Sequence, residues 1–342
     1  MAHKAVFFNL EPWAEEYLGK NEKLRVAGVE VGFEGQLLDA AHLPASNDFD
    51  VAGIFVESKI DPSVIGALPN LKLVAALSTG YDHIDLATCS EKGIAVASVP
   101  SYGENTVAEY AFGLILALSR KILASCDRVR DENSFSTDGL RGFDLAGKTL
   151  GVVGTGRIGR HLIRMGKGFE MNVVAFDAFP DEAFAKEAGF SYRPLPELLQ
   201  ESDIISLHVP YNPATHHLIN KDNVGSIKKG AYLVNTARGA VVETEALIAA
   251  LKQGQLAGAA LDVLEEEGML KDEWEYVAHS RANAAEMRTV LEEHLLMEMP
   301  NVIITPHNAF NTNEAFLRIL DTTVDNIVSF VGGAPKNIVK PH

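Results

Sequence analysis

The sequence predicts an α/β protein built from two domains with parallel sheets. Three features carry that expectation. A length of 342 residues suits about two domains. Short apolar runs rich in Val, Ile and Phe alternate with helical or polar stretches along the chain, the rhythm of strands joined by crossover helices. One of those runs, Thr149–Val153, passes at once into G-x-G-x-x-G at Gly154, Gly156 and Gly159, with a helix expected from Ile158.

Composition narrows the class. At 47% hydrophobic and 22% charged, the chain has the balance of a globular protein with sizeable cores. A formal net charge of −16 argues against nucleic acid and anionic membrane surfaces, because both are bound through basic patches. A small anionic substrate would need a local cationic clamp. Cys89 and Cys126 are too few for a disulfide framework or a cysteine metal site, and they suit a reducing compartment. The opening MAHKAVFFNLEPW lacks the long apolar core of a signal peptide, and no apolar run approaches the roughly 18 residues of a membrane span. The expectation is a soluble, cytoplasmic protein.

In chain order, Ala5–Phe8, Val51–Val56, Leu71–Leu77 and Ile94–Val99 are expected strands of a first, smaller sheet. The loop Ser78–Asp85 follows the third of them. Its glycine allows close backbone approach, so the N–H groups of Thr79 and Gly80 could hold a carboxylate; a plain strand-to-helix turn fits the local sequence equally. Pro100 and Gly103 break the pattern and mark a crossing between domains. Thr106-Val-Ala-Glu109 has the form of a capping box opening a helix. Val107, Tyr110, Ala111, Leu114, Ile115 and Leu118 follow helical spacing, while Ala108, Phe112, Leu116 and Ala117 fill the other side. A helix apolar all round must be buried all round, and part of that burial is expected against a second subunit.

The glycine turn comes next. Its first glycine permits a sharp turn, the second lets a pyrophosphate approach the backbone, and the third lets helix and strand pack closely. The helix start offers N–H groups and a positive dipole end to a phosphate. A second strand, Asn172–Phe176, ends in Asp177, 18 residues after the last glycine. A carboxylate there can accept hydrogen bonds from both ribose hydroxyls of NAD and would repel the 2′-phosphate of NADP. Further strands are expected at Ile204–Val209, Ala231–Asn235, Ala259–Val263 and Val302–Thr305, with a helix over Thr244–Lys252 closed by Gly254. Residues 268–300 are acidic and helix-forming, with Met287, Leu291, Leu295 and Leu296 as an apolar stripe. They read as an inserted excursion, a surface helix in preference to a substrate lid.

In an open parallel sheet the ligand lies beyond the carboxyl ends of the strands. The Gly154 turn, Asp177, Val209-Pro210, Arg238, Glu267 and His307 all follow such ends, so they are expected along one edge. Arg238 can fork onto a carboxylate and polarise a carbonyl. His307 can give or take the proton of a hydroxyl group, and Glu267 can hold the imidazole and stabilise its protonated form. Singly, each has a bland reading as a surface charge, a structural turn or a solvated acid. His216 and His217, in a loop over Tyr211–Asn220, read as solvated or capping. No H-E-x-x-H spacing indicates a metal.

The sequence resembles the D-isomer-specific 2-hydroxyacid dehydrogenases over nearly its whole length. The likeness is carried by STGYDHID (78–85), VPSYGENTVAEYAFGLILAL (99–118), GVVGTGRIG (151–159), LHVP (207–210), NTARGAVV (235–242), ALDVLEEE (260–267) and TPHNAF (305–310). The resemblance implies a Rossmann-type NAD-binding domain over 101–300 and a flavodoxin-like substrate domain made from 1–100 and 301–342. It implies catalytic roles for Arg238, Glu267 and His307. It places NAD contacts at Gly154, Thr155, Gly156, Arg157, Ile158, Gly159, Asp177, Val209, Pro210, Thr215, Thr236, Ala237, Arg238, Asp262 and His307. Substrate contacts fall on Thr79, Gly80, Tyr102, Arg238 and Phe310, and a homodimer is implied. Tyr102, the long segment between Glu267 and His307, and Phe310 are most similar to the D-lactate dehydrogenase branch.

The implied activity is reversible, NADH-dependent reduction of a small 2-oxoacid to its D-2-hydroxyacid. A glyoxylate or hydroxypyruvate reductase, or a phosphoglycerate dehydrogenase-like enzyme, stays open. A phosphorylated substrate would want extra cations, and Lys59 is the only nearby candidate in the first domain's loops. A reading of another class, an NADH-sensing corepressor-type binding protein, stays open too.

Overall fold

A computed structural model of the chain describes residues 3–267 and 284–340. The chain divides into two compact units, Met1–Gly103 with Asn311–His342, and Glu104–Phe310. The first begins with β1 (His3–Phe8), α1 (Pro12–Gly19), α2 (Glu22–Val26), β2 (Val29–Glu34), β3 (Val51–Ile54), α3 (Pro62–Ala67), β4 (Leu73–Ala76), α4 (Leu86–Glu91) and β5 (Ala95–Ala97). Asn21, Asp61 and Asp85 start α2, α3 and α4 by accepting hydrogen bonds from first-turn N–H groups, the ordinary remedy for unpaired donors at a helix start.

The strands form one sheet in the order β2-β1-β3-β4-β5, all parallel, the flavodoxin-like order. β3 and β4 are buried at every position, as strands covered on both faces must be. The sequence pattern omits β2. It is an edge strand in which only Val29 is buried, and Glu30, Gly32 and Glu34 interrupt any apolar signal.

The second unit carries α5 (Glu104–Arg120), α6 (Ile122–Asp131), β6 (Thr149–Val153), α7 (Arg157–Gly168), β7 (Asn172–Phe176), α8 (Glu182–Ala188), β8 (Ser191–Tyr192), α9 (Leu195–Glu201), β9 (Ile204–Leu207), β10 (Ala231–Asn235), α10 (Thr244–Lys252), β11 (Leu256–Leu261), α11 (Ala284–Met297) and β12 (Val302–Ile304). The chain then returns to the first unit as α12 (Asn313–Val331). The seven strands are parallel in the order β12-β11-β10-β9-β6-β7-β8. This is the doubly wound Rossmann order with a seventh strand added beside β11. One core layer is built on Leu150, Val152, Leu162 and Ile163, and the other on Val153, Ile205, Leu233 and Leu247.

Three expectations change. The capping box at Thr106 is not one: α5 begins at Glu104, and Thr106 is buried inside its first turn. Glu104 supplies the first-turn acid instead and meets Arg157 of α7 at 3.4 Å. The domain boundaries expected at 100 and 300 fall at 103 and 310. β12 pairs with β11 through Ala259 with Val302 and Leu261 with Ile304, which draws residues 301–310, His307 among them, into the second unit. Finally, residues 268–283 of the expected excursion lie outside the described residues. The remainder is largely α11, which is more than a surface helix, since Val290, Glu293 and Leu296 are buried.

Candidate active site

Six strands of the seven-stranded sheet deliver a candidate residue past their carboxyl ends: Gly154 after β6, Asp177 after β7, Val209 after β9, Arg238 after β10, Asp262 after β11 and His307 after β12. Because the strands are parallel, all six lie along one edge. The glycine turn has a reason at each position. Gly154 has φ +97°, and a Cβ there would come within 2.7 Å of the His208 carbonyl. A Cβ on Gly159 would stand 2.0 Å from the Gly154 oxygen. Gly156, the N-cap of α7, faces open space and has no side chain to occupy the helix N-terminus. The opening leaves the first N–H groups of α7 accessible to an anion.

Asp177 closes the turn. Its Oδ2 accepts from the Thr155 N–H at 2.6 Å and the Thr155 hydroxyl at 2.9 Å, and its Oδ1 accepts from the Phe179 N–H at 2.9 Å. An ionised carboxylate has about four acceptor sites, so about one is left for a ribose hydroxyl. Arg160 is bonded to this loop. It donates to the Thr155 carbonyl at 3.2 Å, pairs with Asp181 at 2.7 Å and lies over the Phe184 ring. Thr215 shapes the loop after β9: its hydroxyl donates to the Pro210 carbonyl at 2.6 Å and accepts from the Asn212 N–H at 2.8 Å.

The Arg238 loop is fixed from both sides. Buried Asn235 accepts from the Ala237 N–H at 3.0 Å and donates to the Arg238 carbonyl at 2.9 Å. Gly239 lies so close to Leu264 that a Cβ would be 2.0 Å from that residue's carbonyl atoms. The loop bearing Arg238 therefore rests directly on the turn bearing Glu267. Buried Thr236 presents a hydroxyl with no hydrogen-bond partner among the described residues.

Glu267 Oε1 and His307 Nδ1 are 2.8 Å apart. A carboxylate on Nδ1 favours the tautomer with the proton on that nitrogen and leaves Nε2 to act on a ligand. His307 has φ +50°, a left-handed conformation uncommon for a side-chain-bearing residue, and its N–H donates to the Asp262 carbonyl at 2.8 Å. Asp262, expected among the cofactor contacts, has its carboxylate turned to its own chain. It accepts from the Thr305 hydroxyl at 2.5 Å, the Asn308 N–H at 2.9 Å and the Ala309 N–H at 2.8 Å. At 1% exposure it is placed to hold the histidine loop. Burial pushes this carboxyl above its ordinary value, against the pull of those donors and of the His307 charge. Phe310 meets the His307 ring edge-on, with centroids 6.2 Å apart.

One residue of this region reads differently from its sequence. His217 is not simply solvated: its Nε2 lies 2.5 Å from Glu265 Oε1, and its N–H donates to the Ala240 carbonyl at 2.8 Å. The other Glu265 oxygen accepts from the Thr244 hydroxyl at 2.7 Å and the Thr244 N–H at 3.2 Å. His217 and Glu265 are 48 positions apart. No local spacing signals such a pair.

In the first unit, the Ser78–Gly80 loop is closed by the Ser78 hydroxyl on the Gly80 carbonyl, 2.6 Å, and by the Thr79 hydroxyl on the Val99 carbonyl, 2.7 Å. The Thr79 and Gly80 N–H groups donate no hydrogen bond among the described residues. The Tyr102 carbonyl accepts from Arg318 of α12.

A doubly wound sheet whose edge carries a glycine turn, an acid past the next strand, an arginine and a histidine–glutamate pair is the arrangement of a nicotinamide-nucleotide-dependent oxidoreductase. Comparison with known proteins gives the family. The NAD-binding domain of the D-isomer-specific 2-hydroxyacid dehydrogenases matches residues 112–309. The chain is 40% identical over 303 residues to a 2-hydroxyacid dehydrogenase homolog of Zymomonas mobilis, covering 88% of this chain and 89% of that protein. It is 36% identical over 296 residues to the glyoxylate reductase of Korarchaeum cryptofilum, covering 85% and 83%. Among solved structures, the D-lactate dehydrogenase of Aquifex aeolicus, complexed with NAD and lactic acid, superposes with a TM-score of 0.83 at 37% identity, over 96% of each chain. The chain belongs to the D-isomer-specific 2-hydroxyacid dehydrogenases, which are NAD-dependent oxidoreductases.

Proposed function

We propose that the chain reduces a small 2-oxoacid to the D-2-hydroxyacid, reversibly, in the manner of a D-lactate dehydrogenase. The observation that carries this reading is the 2.8 Å contact between Glu267 and His307, on a turn against which the Arg238 loop is packed. The arginine fork is suited to a substrate carboxylate and polarises the neighbouring carbonyl. His307 Nε2 protonates the carbonyl oxygen as the carbonyl carbon gains a hydride, and takes the proton back in the reverse direction. The Gly154–Gly159 turn and Asp177 would hold NADH, which would supply that hydride. Glu267 keeps the imidazole oriented. Asp262 sets the loop from beneath.

The glyoxylate reductase among the relatives keeps a smaller substrate in view. NADH oxidation over a panel of pyruvate, longer 2-oxoacids, glyoxylate, hydroxypyruvate and 3-phosphohydroxypyruvate separates the readings. The highest kcat/KM is expected with pyruvate or a close homologue. A preference for glyoxylate or a phosphorylated acid would transfer the assignment to those branches. NADH binding without turnover on any of them would favour a sensor.

We further propose a homodimer. α6 has no buried residue, although Ile122, Leu123 and Val129 are apolar and 45%, 47% and 42% exposed, and Phe135 just beyond it is 90% exposed. Such a patch suits a partner surface. Sedimentation is expected to give twice the 37.0 kDa chain mass, and a monomer at every concentration would defeat the proposal.

A further inference from the structure

Two carboxylates are buried among the described residues, Asp262 and Glu293. Asp262 has three donors. Glu293, on α11 between buried Val290 and Leu296, has fewer. Its Oε1 accepts from the Glu266 N–H at 2.9 Å, and its Oε2 has no hydrogen-bond partner among the described residues. Glu266 directly precedes Glu267. The turn that presents Glu267 to His307 is thus tied at Glu265 by His217 and Thr244, and at Glu266 by Glu293.

A charge on Glu293 would be poorly tolerated. The turn faces it with Glu265 and Glu266, and Glu286 of α11 adds negative charge beside Glu266. Among the described residues of α11, Arg288 is spent at the surface on Glu245 of α10 and on Glu292, and His294, next to Glu293, is exposed. β12 contributes only Val302, Ile303 and Ile304. Burial, reinforced by the Glu266 and Glu265 charges and opposed by the Glu266 N–H, pushes the Glu293 carboxyl up to about 7.

We propose that Glu293 is a positioning residue for the Glu267–His307 pair: as the uncharged acid it braces the Glu266 N–H, and its ionisation loosens the turn. The proposal rests on the reading of Glu267 and His307 as the reacting pair's acid and base. Ionisation would set a third carboxylate against Glu265 and Glu266 at a fully buried position, and the turn would shift or admit solvent to relieve it.

The test titrates the His307 ring resonance in histidine-labelled enzyme, identified by its loss in His307→Gln. Glu293→Gln keeps an acceptor oxygen for Glu266 and cannot ionise; Glu293→Leu fills the space and removes the acceptor. Wild type is expected to show a second inflection near neutral pH that both variants lack. In turnover, Glu293→Gln is expected to match wild-type kcat at about pH 6 and exceed it about threefold at about pH 8.5, with KM for NADH unchanged. Glu293→Leu is expected to lower kcat about tenfold at both values while the melting temperature is kept. Superimposable imidazole titrations and kcat–pH profiles for wild type and Glu293→Gln would overturn the proposal. Should wild type reduce no 2-oxoacid, the functional reading fails, and the imidazole titration alone decides the role of Glu293.

Discussion

His307 is held by its backbone as much as by its partner. A left-handed φ of +50° costs on the order of 1 kcal/mol for a residue with a side chain, and it persists because Asp262 binds the loop through its carbonyl and both carboxylate oxygens. Asp177 poses the cofactor question at the same scale. Its carboxylate is bound to the glycine turn through Thr155, and Arg160 is paired with Asp181. Asp177→Ser is expected to raise the ratio of NADPH to NADH kcat/KM by about 10- to 100-fold, mainly through weaker use of NADH; an unchanged ratio would show that the acid does not discriminate. Arg238, Glu267 and His307 were visible in the sequence because each follows an apolar strand by a few residues. His217 and Glu293 were not. One needs a partner 48 positions away, and the other looks like any glutamate on an acidic helix until its burial is seen.

Elements with sharp boundaries were the legible ones. Thr149–Val153, Asn172–Phe176 and Ala231–Asn235 match their expected limits, since each apolar run is bounded by polar or glycine turn residues. β2 and the two-residue β8 escaped because edge strands carry charged or polar positions and make few pairings. β11 begins at Leu256, three residues before its expected start, since Ala257 and Gly258 weaken the strand signal. The contact between the Arg238 loop and the Glu267 turn has no sequence signature beyond a glycine. Gly239→Ala is expected to lower kcat/KM about 100-fold and to destabilise the fold by about 1–3 kcal/mol, because the new Cβ meets backbone that cannot rotate away. Activity and melting temperature within error of wild type would show that the two segments are not so closely joined. His217 and Glu265 should be coupled: a double-mutant cycle of His217→Gln and Glu265→Gln on unfolding is expected to give about 1–3 kcal/mol, and additive effects would remove the pair from the account.

At the scale of the molecule, two buried groups pull stability in opposite directions with pH. Burial lowers the His208 imidazole from its ordinary 6.5 to about 4, so the unfolded chain takes up a proton that the folded chain refuses as pH falls through that window, and stability is lost. The Glu293 carboxyl is raised from 4.5 to about 7, so the unfolded chain releases a proton that the fold retains, and stability is lost as pH rises from 4.5 to 7. Melting curves across this range should show Glu293→Gln gaining on wild type as pH rises, and His208→Gln gaining as it falls. Parallel curves would mean that neither group keeps its neutral form in the fold. The central claim is that a histidine held by a glutamate exchanges the substrate proton beside a bound nicotinamide. Its most direct test compares wild type with His307→Gln in single-turnover NADH oxidation with pyruvate, with NADH affinity measured separately by fluorescence. The expected result is a rate loss of about 10²- to 10⁴-fold with NADH affinity within about threefold of wild type. A variant that oxidises NADH at the wild-type rate would contradict the account.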